Sequence, residues 1–446
     1  MVYVMSRDQR VRDNHALRDA QLAALDKRLP LIVLFVLRTI ATRSREHYTF
    51  MLDGLEQVAG VLRDHNIPWI IRQGSGAQPI LDFLQEAHAD SVFFDYNPLA
   101  GPRQIVATTA QNFLGTTTVV DTHNSIPVWV ASDHQEFAAH TLRRKVHKLL
   151  PTYLQDPPQI ITHPHTTDQR FESLDFKAAR SATLAVPSCG IHITATAGED
   201  AAHQRLAQFM ANTLPTYARQ RNNITAEGQS ELSPYLHFGH IASLRVALEV
   251  LHSTNTTPLL FDEPHMAQSS DEPSASDGTN ALFEEMIVRK ELADNFCHYQ
   301  AQYQTLAGAP DWARTTLRNH MADTRSHVYT RHHWESATTH DPIWNAAQCQ
   351  LLRTGKIHGY MRMYWAKKML EWSDTPQKAL TDCIYLNDKF SVDGGDPNGY
   401  VGILWSIAGL HDRPWAQRPV FGKIRYMNAA GLRRKFDVDA YVQRWA

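Results

Sequence analysis

Five groups of residues in this chain have types and spacings that chemistry could use. Trp365, Met369 and Trp372 stand at i, i+4 and i+7 in the stretch GYMRMYWAKKMLEW, so a helix puts them on one face with the indoles roughly 10 Å apart along its axis. Taken alone, that pattern is a core stripe. In the run SELSPYLHFGHI, Ser233 reads as a helix cap and Pro234 as the first helical residue. Free backbone N–H groups at such an end can hold a phosphate, although a plain capped helix has the same signature. Leu386-Asn387-Asp388 and Asp393-Gly394-Gly395-Asp396-Pro397-Asn398-Gly399-Tyr400 mix carboxylates and amides with glycine and proline. That is turn chemistry, where backbone can approach a bound molecule, and it is also the composition of an exposed loop. Glu285 and Arg289, spaced i, i+4, read as an ion pair on a helix whose buried side is Phe283, Met286 and Ile287. From His411 onward Arg413, Arg418, Lys423, Arg425, Arg433, Arg434 and Lys435 outnumber Asp412, Asp437 and Asp439 and interleave with Trp415 and Tyr426. Phosphate contacts and base stacking suit that mixture, as does a solvated face.

Other chemistries are excluded. The 24 histidines include no metal-binding spacing such as HExxH, and His163, His165, His332 and His333 read as solvated. Cys189, Cys297, Cys349 and Cys383 are scattered without a CxxC, which argues against a zinc site and a disulfide framework and for reduced thiols. The formal charge is −2, so any nucleic-acid footprint must be local.

The elements that must position these residues divide a chain of 446 residues into parts. Strand-like runs at 31–37, 69–72, 91–94 and 117–120 alternate with helical patterns, notably 47–65 and 79–87. They predict an α/β domain with a doubly wound parallel sheet over residues 1–150. Such sheets bind ligands beyond the carboxyl ends of their strands, yet no GxGxxG or P-loop follows a strand, and Gly74-Ser75-Gly76 is too short to count. A basic helix over 140–150 ends at Pro151, and residues 151–199, rich in Pro, Thr and His, read as an interdomain linker. Residues 200–446 read as all-helical. Within them Asp341 caps a helix that carries Trp344 and stops at Gly355, and a second helix spans 360–372. Residues 254–280, dominated by Ser, Asp, Pro and Thr, read as an inserted mobile loop. The longest apolar run, 29–37, is too short to cross a bilayer, and the N-terminus lacks a signal-peptide layout. The expected place is therefore inside the cell, in the cytoplasm with the nucleoid or in a nucleus.

The helix GYMRMYWAKKMLEW, the LND and DGGDPNGY elements, LSPYLHFG, and HDRPW with GKIRYM together resemble class II cyclobutane-pyrimidine-dimer DNA photolyases. The opening RVRDNHAL and the TLRRK segment resemble the family too, so the likeness extends over nearly the whole chain except the linker and the 254–280 insertion. It implies a helical domain that binds FAD, reduced in the active form, and an α/β domain that can hold an antenna such as 8-hydroxydeazaflavin. The implied partner is DNA containing cyclobutane pyrimidine dimers, acted on by a monomer without a membrane. Carried over residue by residue, the resemblance assigns FAD contacts to Tyr217, Ser230, Leu232, Ser233, Leu236, Arg362, Asn387, Asp393, Asp396 and Asn398. Arg362 and Asp393 are expected as a buried pair beside the flavin ring, with Asn387 facing that ring. Catalytic roles fall to Glu285, Asn387, Met363 and Trp405, an electron path to Trp365, Trp344 and Trp372 with Tyr329 linked to it, and DNA contacts to Arg289, Arg413, Lys423, Arg425 and Trp405. Val288 and Arg289 stand in a turn where other photolyase classes carry a tryptophan, which makes Trp405 the main aromatic platform. A flavin-binding light sensor of the cryptochrome type, without repair, is the alternative.

Overall fold

The computed structural model describes residues 1–254 and 275–446. Its first part is a sheet of five parallel strands, Val2–Met5 (β1), Ile32–Leu37 (β2), Trp69–Gln73 (β3), Ser91–Asp95 (β4) and Thr116–Val120 (β5), in the order β3-β2-β1-β4-β5. Helices His15–Asp26 (α1), Arg45–Asp64 (α2), Gln78–Glu86 (α3) and Ala100–Asn112 (α4) make the crossovers. Alternate residues of the strands feed two cores. Tyr3, Val33 and Phe35 pack with Leu17, Leu55 and Leu62 on one face, and Val4, Leu34 and Phe94 pack with Ile80 and Phe83 on the other. Burial on both faces is why β2 is an unbroken apolar run rather than an alternating one. The central strand β1 escaped the sequence reading. It has four residues and no turn signal before it, and its place is set by pairing with β2 and β4 on its two sides, Val4 opposite both Leu34 and Phe94.

Two sequence readings in the connecting region need correction. The basic helix does not stop at Pro151 but runs from Ala139 to Tyr153. Proline there forfeits one ladder bond, to the carbonyl four residues back, and the helix continues only through Thr152 and Tyr153. His163 is buried, not solvated: its backbone N–H bonds to His65 O at 2.8 Å and its Nε2 lies 2.9 Å from Leu29 O. The segment around it follows the β3 edge, with Leu174 N–H bonded to Ile71 O, and contributes Ala179 and Val186 to the core.

The remainder is helical. Helices Glu199–Asn212, Ser243–Thr254, Lys290–Tyr299, Pro342–Thr354, Gly359–Glu371, Pro376–Phe390 and Pro397–Ala408 surround a core that includes Phe296, Trp344, Tyr364, Trp365, Leu386 and Ile407. Of the expected 254–280 loop, residues 255–274 lie outside the described residues, and from Ala275 the chain is already helical, as Ala275–Phe283. Among the described residues no helix is long and apolar enough to cross a membrane, and no cluster of His, Cys, Asp or Glu could hold a metal ion.

The two parts join where the strand order reverses, between β1 and β4. Asp95 at the end of β4 accepts hydrogen bonds from the N–H groups of Ser6, Arg7 and Asp8 and from Tyr3 Oη. That turn aims Arg7 at Asp294 of the helical part, a buried bidentate pair with N–O distances of 2.6 and 2.9 Å. Gly239 sits against the same turn, where a Cβ would come within 2.4 Å of Arg7 O. The end of the sheet where such folds bind ligands is here occupied by the helical part.

Candidate functional site: a cleft, an aromatic chain and a basic face

One helix, Gly359–Glu371, touches all three parts of the site. His358 caps it by accepting Tyr360 N–H, and Trp372 closes it with an N–H bond to Lys368 O.

The cleft has two lobes. The larger, of about 340 Å³, is lined by Arg205, Glu231, Ser233, Tyr235, Lys356 and Asp393; the smaller, about 60 Å³, by Leu236, His237, Lys290, Arg362, Asp396 and Asn398. Ser233 and Asp393 belong to both. Ser233 is not a cap: the short helix Ser233–His237 has Leu232 at the capping position with no side-chain bond, and Pro234 is its second residue. Leu232 itself is buried in the core. Ser230 is half-buried, its carbonyl holding Arg205 Nε at 2.9 Å. Tyr217 is buried on the Glu285 side, where burial and the Glu285 charge push its phenol up to about 12.

Leu386-Asn387-Asp388 is not a turn. It forms part of the last turns of helix Pro376–Phe390, and only the four residues after Ser391 make the turn before Asp396 caps Pro397–Ala408. Asn387 is buried and donates Nδ2–H to Asp388 at 3.2 Å, while Asp388 also receives Gly395 N–H and Tyr400 Oη–H. Gly399 permits this approach, since a Cβ there would lie 2.8 Å from Asn387 Nδ2. Arg362 and Asp393 are 3.6 Å apart and bridged by Ser391 Oγ; both side chains remain partly open to the cleft, so the pair is looser and wetter than expected. Burial raises the Asp393 carboxyl, but Arg362 and Ser391 outweigh it and hold the group below the ordinary range. Burial also raises the Asp396 carboxyl, but His237, 3.1 Å away, outweighs it and holds the group below the ordinary range; the other ring nitrogen of His237 meets Arg43 at 2.9 Å. Arg205, Lys356 and Arg362 around a groove with first-turn N–H groups are a donor set for a diphosphate, and the carboxylates and amides suit hydroxyls and ring N–H groups. The residues present fit a flavin dinucleotide.

The aromatic chain starts three residues after Arg362. Trp365 stacks on Trp344 at 6.3 Å between centroids and 7° between planes, and the indoles are fixed by Trp344 Nε1–H to Trp365 O at 3.0 Å and Trp365 Nε1–H to Gln348 at 2.9 Å. The sequence reading joined Trp344 to Trp372, but the ring that touches both is Trp334, at 4.9 Å from Trp344 and 6.4 Å from Trp372. Trp334 is fully buried, on the five-residue helix Arg331–Glu335, too short for any periodic signal. Tyr329 ends the chain against Trp372 at 6.0 Å, half-buried, its N–H bonded to Trp372 O.

The basic face holds a ladder of cations and indoles. Trp405, half-buried, has Lys367 Nζ 4.7 Å from its ring centroid on one side and Arg425 at 5.9 Å, and Arg425 continues to Trp415 at 4.6 Å, which Arg413 flanks at 5.5 Å. Lys423 is exposed on the same loop. Arg433 and Lys435 lie apart from it, paired with Asp439 and over Tyr360. Glu285 and Arg289 do not pair with each other. They lie in a π-helical segment, Glu284–Arg289, whose wider turn brings residue 289 over residue 284. Arg289 bonds Glu284, which Arg143 also grips, and Glu285 bonds Arg221 at 2.5 Å while staying half-exposed. Val288 points inward, and Met363, half-buried, follows Arg362 on its helix. Lys367 was not singled out in the sequence, where a lysine in a helix reads as surface.

Residues 1–164 match the family model for DNA photolyase. The chain is 43% identical to deoxyribodipyrimidine photo-lyase of Potorous tridactylus over 99% of its own length and 80% of that protein's, and 42% identical to the enzyme of that name from Oryza sativa subsp. japonica, covering 99% and 86%. A relative of the same name from Methanothermobacter thermautotrophicus is 36% identical over 100% and 94%. Among solved structures, a bacterial class III photolyase from Agrobacterium tumefaciens (TM-score 0.72, 18% identity, 100% and 86% covered) and a cryptochrome from Synechocystis (0.74, 14%, 100% and 88%) share the fold. The chain belongs to the DNA photolyase family, in its class II branch.

Proposed function

We propose that this protein repairs cyclobutane pyrimidine dimers in DNA in a light-driven reaction, as a deoxyribodipyrimidine photo-lyase with FAD in the cleft. The observation that carries the reading is the helix Gly359–Glu371. It sets Arg362 in the cleft, Trp365 at the head of the aromatic chain and Lys367 beneath Trp405, so one rigid element links cofactor site, electron supply and lesion platform.

Bound and reduced, the flavin supplies the light-driven electron that splits the dimer. The chain does the rest. Arg413, Lys423 and Arg425 neutralise phosphates, and the dimer leaves a stack that the damage has already weakened. Trp405 offers it a new stacking face, its indole held in place by the cation–π contact with Lys367. Glu285, half-exposed, hydrogen-bonds the pyrimidine edge as charge develops there. Arg205, Lys356 and Ser233 hold the cofactor's phosphates, the Arg362–Asp393 pair and Asn387 stand at its ring, and Asp396 takes its donor groups. Trp365, Trp344, Trp334 and Trp372 carry an electron inward when the cofactor must be reduced. Residues 1–150, the connecting segment 151–199 and residues 200–446 act as antenna-type domain, linker and catalytic domain.

The test is repair of a thymine-dimer oligonucleotide in light and in darkness. Light-dependent repair is expected, with Glu285→Ala lowering repair per photon far more than affinity for the lesion. Flavin bound without repair would assign the chain to light sensing, and no flavin after reconstitution would remove both readings.

A further inference from the structure

At the surface end of the aromatic chain, the phenol of Tyr329 meets one residue twice. Its Oη accepts the backbone N–H of His340 at 2.8 Å and lies 2.7 Å from His340 Nδ1. With a lone pair of Oη engaged by the N–H, the hydroxyl proton is free to point at Nδ1, which accepts when the imidazole is neutral and carries its proton on Nε2. Partial burial, and the His327 ring stacked on it at 3.6 Å and 11°, hold the His340 imidazole below its ordinary value. Lys368 acts in the same direction, Asp341 and Glu371 oppose it, and His333, 5.5 Å from the phenol ring, is engaged with Thr330. Trp372 lies edge-on to both, 6.0 Å from Tyr329 and 4.6 Å from His340.

We propose that Tyr329 and His340 form a proton-coupled terminus of the electron path, in which His340 Nδ1 takes the phenol proton as Tyr329 gives up its electron. The inference rests on the tryptophan chain being that path. The oxidant is the photoexcited oxidised flavin, which draws an electron along the chain and leaves a tryptophan radical cation at Trp372. One electron passes from Tyr329 to Trp372, the Oη–H bond breaks and an Nδ1–H bond forms. The products are intact Trp372, a neutral tyrosyl radical and a protonated His340, so charge and atoms balance. Exposed to solvent, His340 can pass a proton to water from Nε2. A base already within hydrogen-bond reach spares the phenol a strongly acidic radical cation, and a neutral radical cannot recover the electron without also recovering its proton.

The experiment is flash photolysis of the flavin-loaded, oxidised full-length protein, followed by transient absorption and electron paramagnetic resonance. The wild type should form a long-lived neutral tyrosyl radical, absent in Tyr329→Phe. In His340→Phe its yield should fall by about two orders of magnitude, the low end of what a positioned base contributes, with the radical left on tryptophan. In the wild type the yield should fall as pH drops through the His340 pKa, because a protonated ring cannot accept; His340→Phe should show no such step. Nitrogen-15 NMR of the protein in the dark should find His340 Nδ1 unprotonated at neutral pH. A tyrosyl radical of unchanged yield and pH dependence in His340→Phe, or a protonated Nδ1, would overturn the assignment. Absence of any tryptophan radical in the wild type would instead remove the electron path itself.

Discussion

Lys367 shows what a single residue is asked to do in this site. Its side chain is buried, with Nζ donating to Ser406 O at 2.9 Å and facing Trp405. Burial brings its pKa down to about 7, with Arg425 pushing the same way and Asp412 opposing. An unfolded lysine keeps its proton up to about pH 10.4, so between these values the unfolded chain binds more protons and folding stability rises with pH. Below about 7 the full cost of the buried charge is carried by the fold. Lys367→Met should flatten that rise and stabilise the protein at pH 6 by about 1–3 kcal/mol, the scale seen when buried charges give way to apolar side chains. Urea unfolding of both proteins at pH 6, 8 and 10 checks this, and parallel curves would show that Lys367 is not the group responsible.

At the scale of elements, the helix that carries Trp344 is the test case. Asp341 Oδ1 accepts Ile343 N–H at 2.8 Å and Trp344 N–H at 3.3 Å, and Oδ2 receives the hydroxyl of Tyr364 from the neighbouring helix. This cap fixes both the start of Pro342–Thr354 and its contact with Gly359–Glu371. Asp341→Ala should cost about 1–2 kcal/mol for the cap and about 1–3 kcal/mol more for the stranded buried hydroxyl. It should also slow photoreduction of the flavin by loosening Trp344 against Trp365; denaturant unfolding and reduction kinetics measure the two effects, and unchanged kinetics in a destabilised protein would separate the cap from the electron path. The cap, its proline and the glycine stop were legible in the sequence because their causes are local. The π segment at Glu284–Arg289 was not. One inserted residue per turn leaves no mark on composition, yet it moved Arg289 from Glu285 to Glu284 and left Glu285 to Arg221.

For the whole molecule, the join between sheet and helices rests on buried charge. Asp294 is held well ionised by Arg7, which outweighs its burial, and Asn124 also donates to it at 3.0 Å. Removing one partner strands the other in a dry interface, so Asp294→Ala should destabilise by about 3–5 kcal/mol. Arg7→Met with Asp294→Leu should recover most of that, because no unpaired charge remains. Urea unfolding decides it: a mild single variant, or a double variant no better than the single, would mean that the pair is not the fastening.

Likeness to a family pointed to the cleft-lining residues Ser233, Leu236, Arg362, Asp393, Asp396 and Asn398; the alternation of apolar strands and helices, the helix over Gly359–Glu371, the capped helix of Trp344 and the basic stretch with Trp415 were legible in the residues themselves. They depend on periodicity, capping and local composition, which act between residues a few positions apart. Only the tertiary structure decided that β1 is the central strand, that His163 is buried, that Trp334 closes the aromatic chain and that Lys367 lies under Trp405. Each of those depends on partners from other elements, such as Val4 with Phe94, Trp334 with Trp372 and Lys367 with Ser406, and local pattern is blind to which distant surfaces will exclude water together.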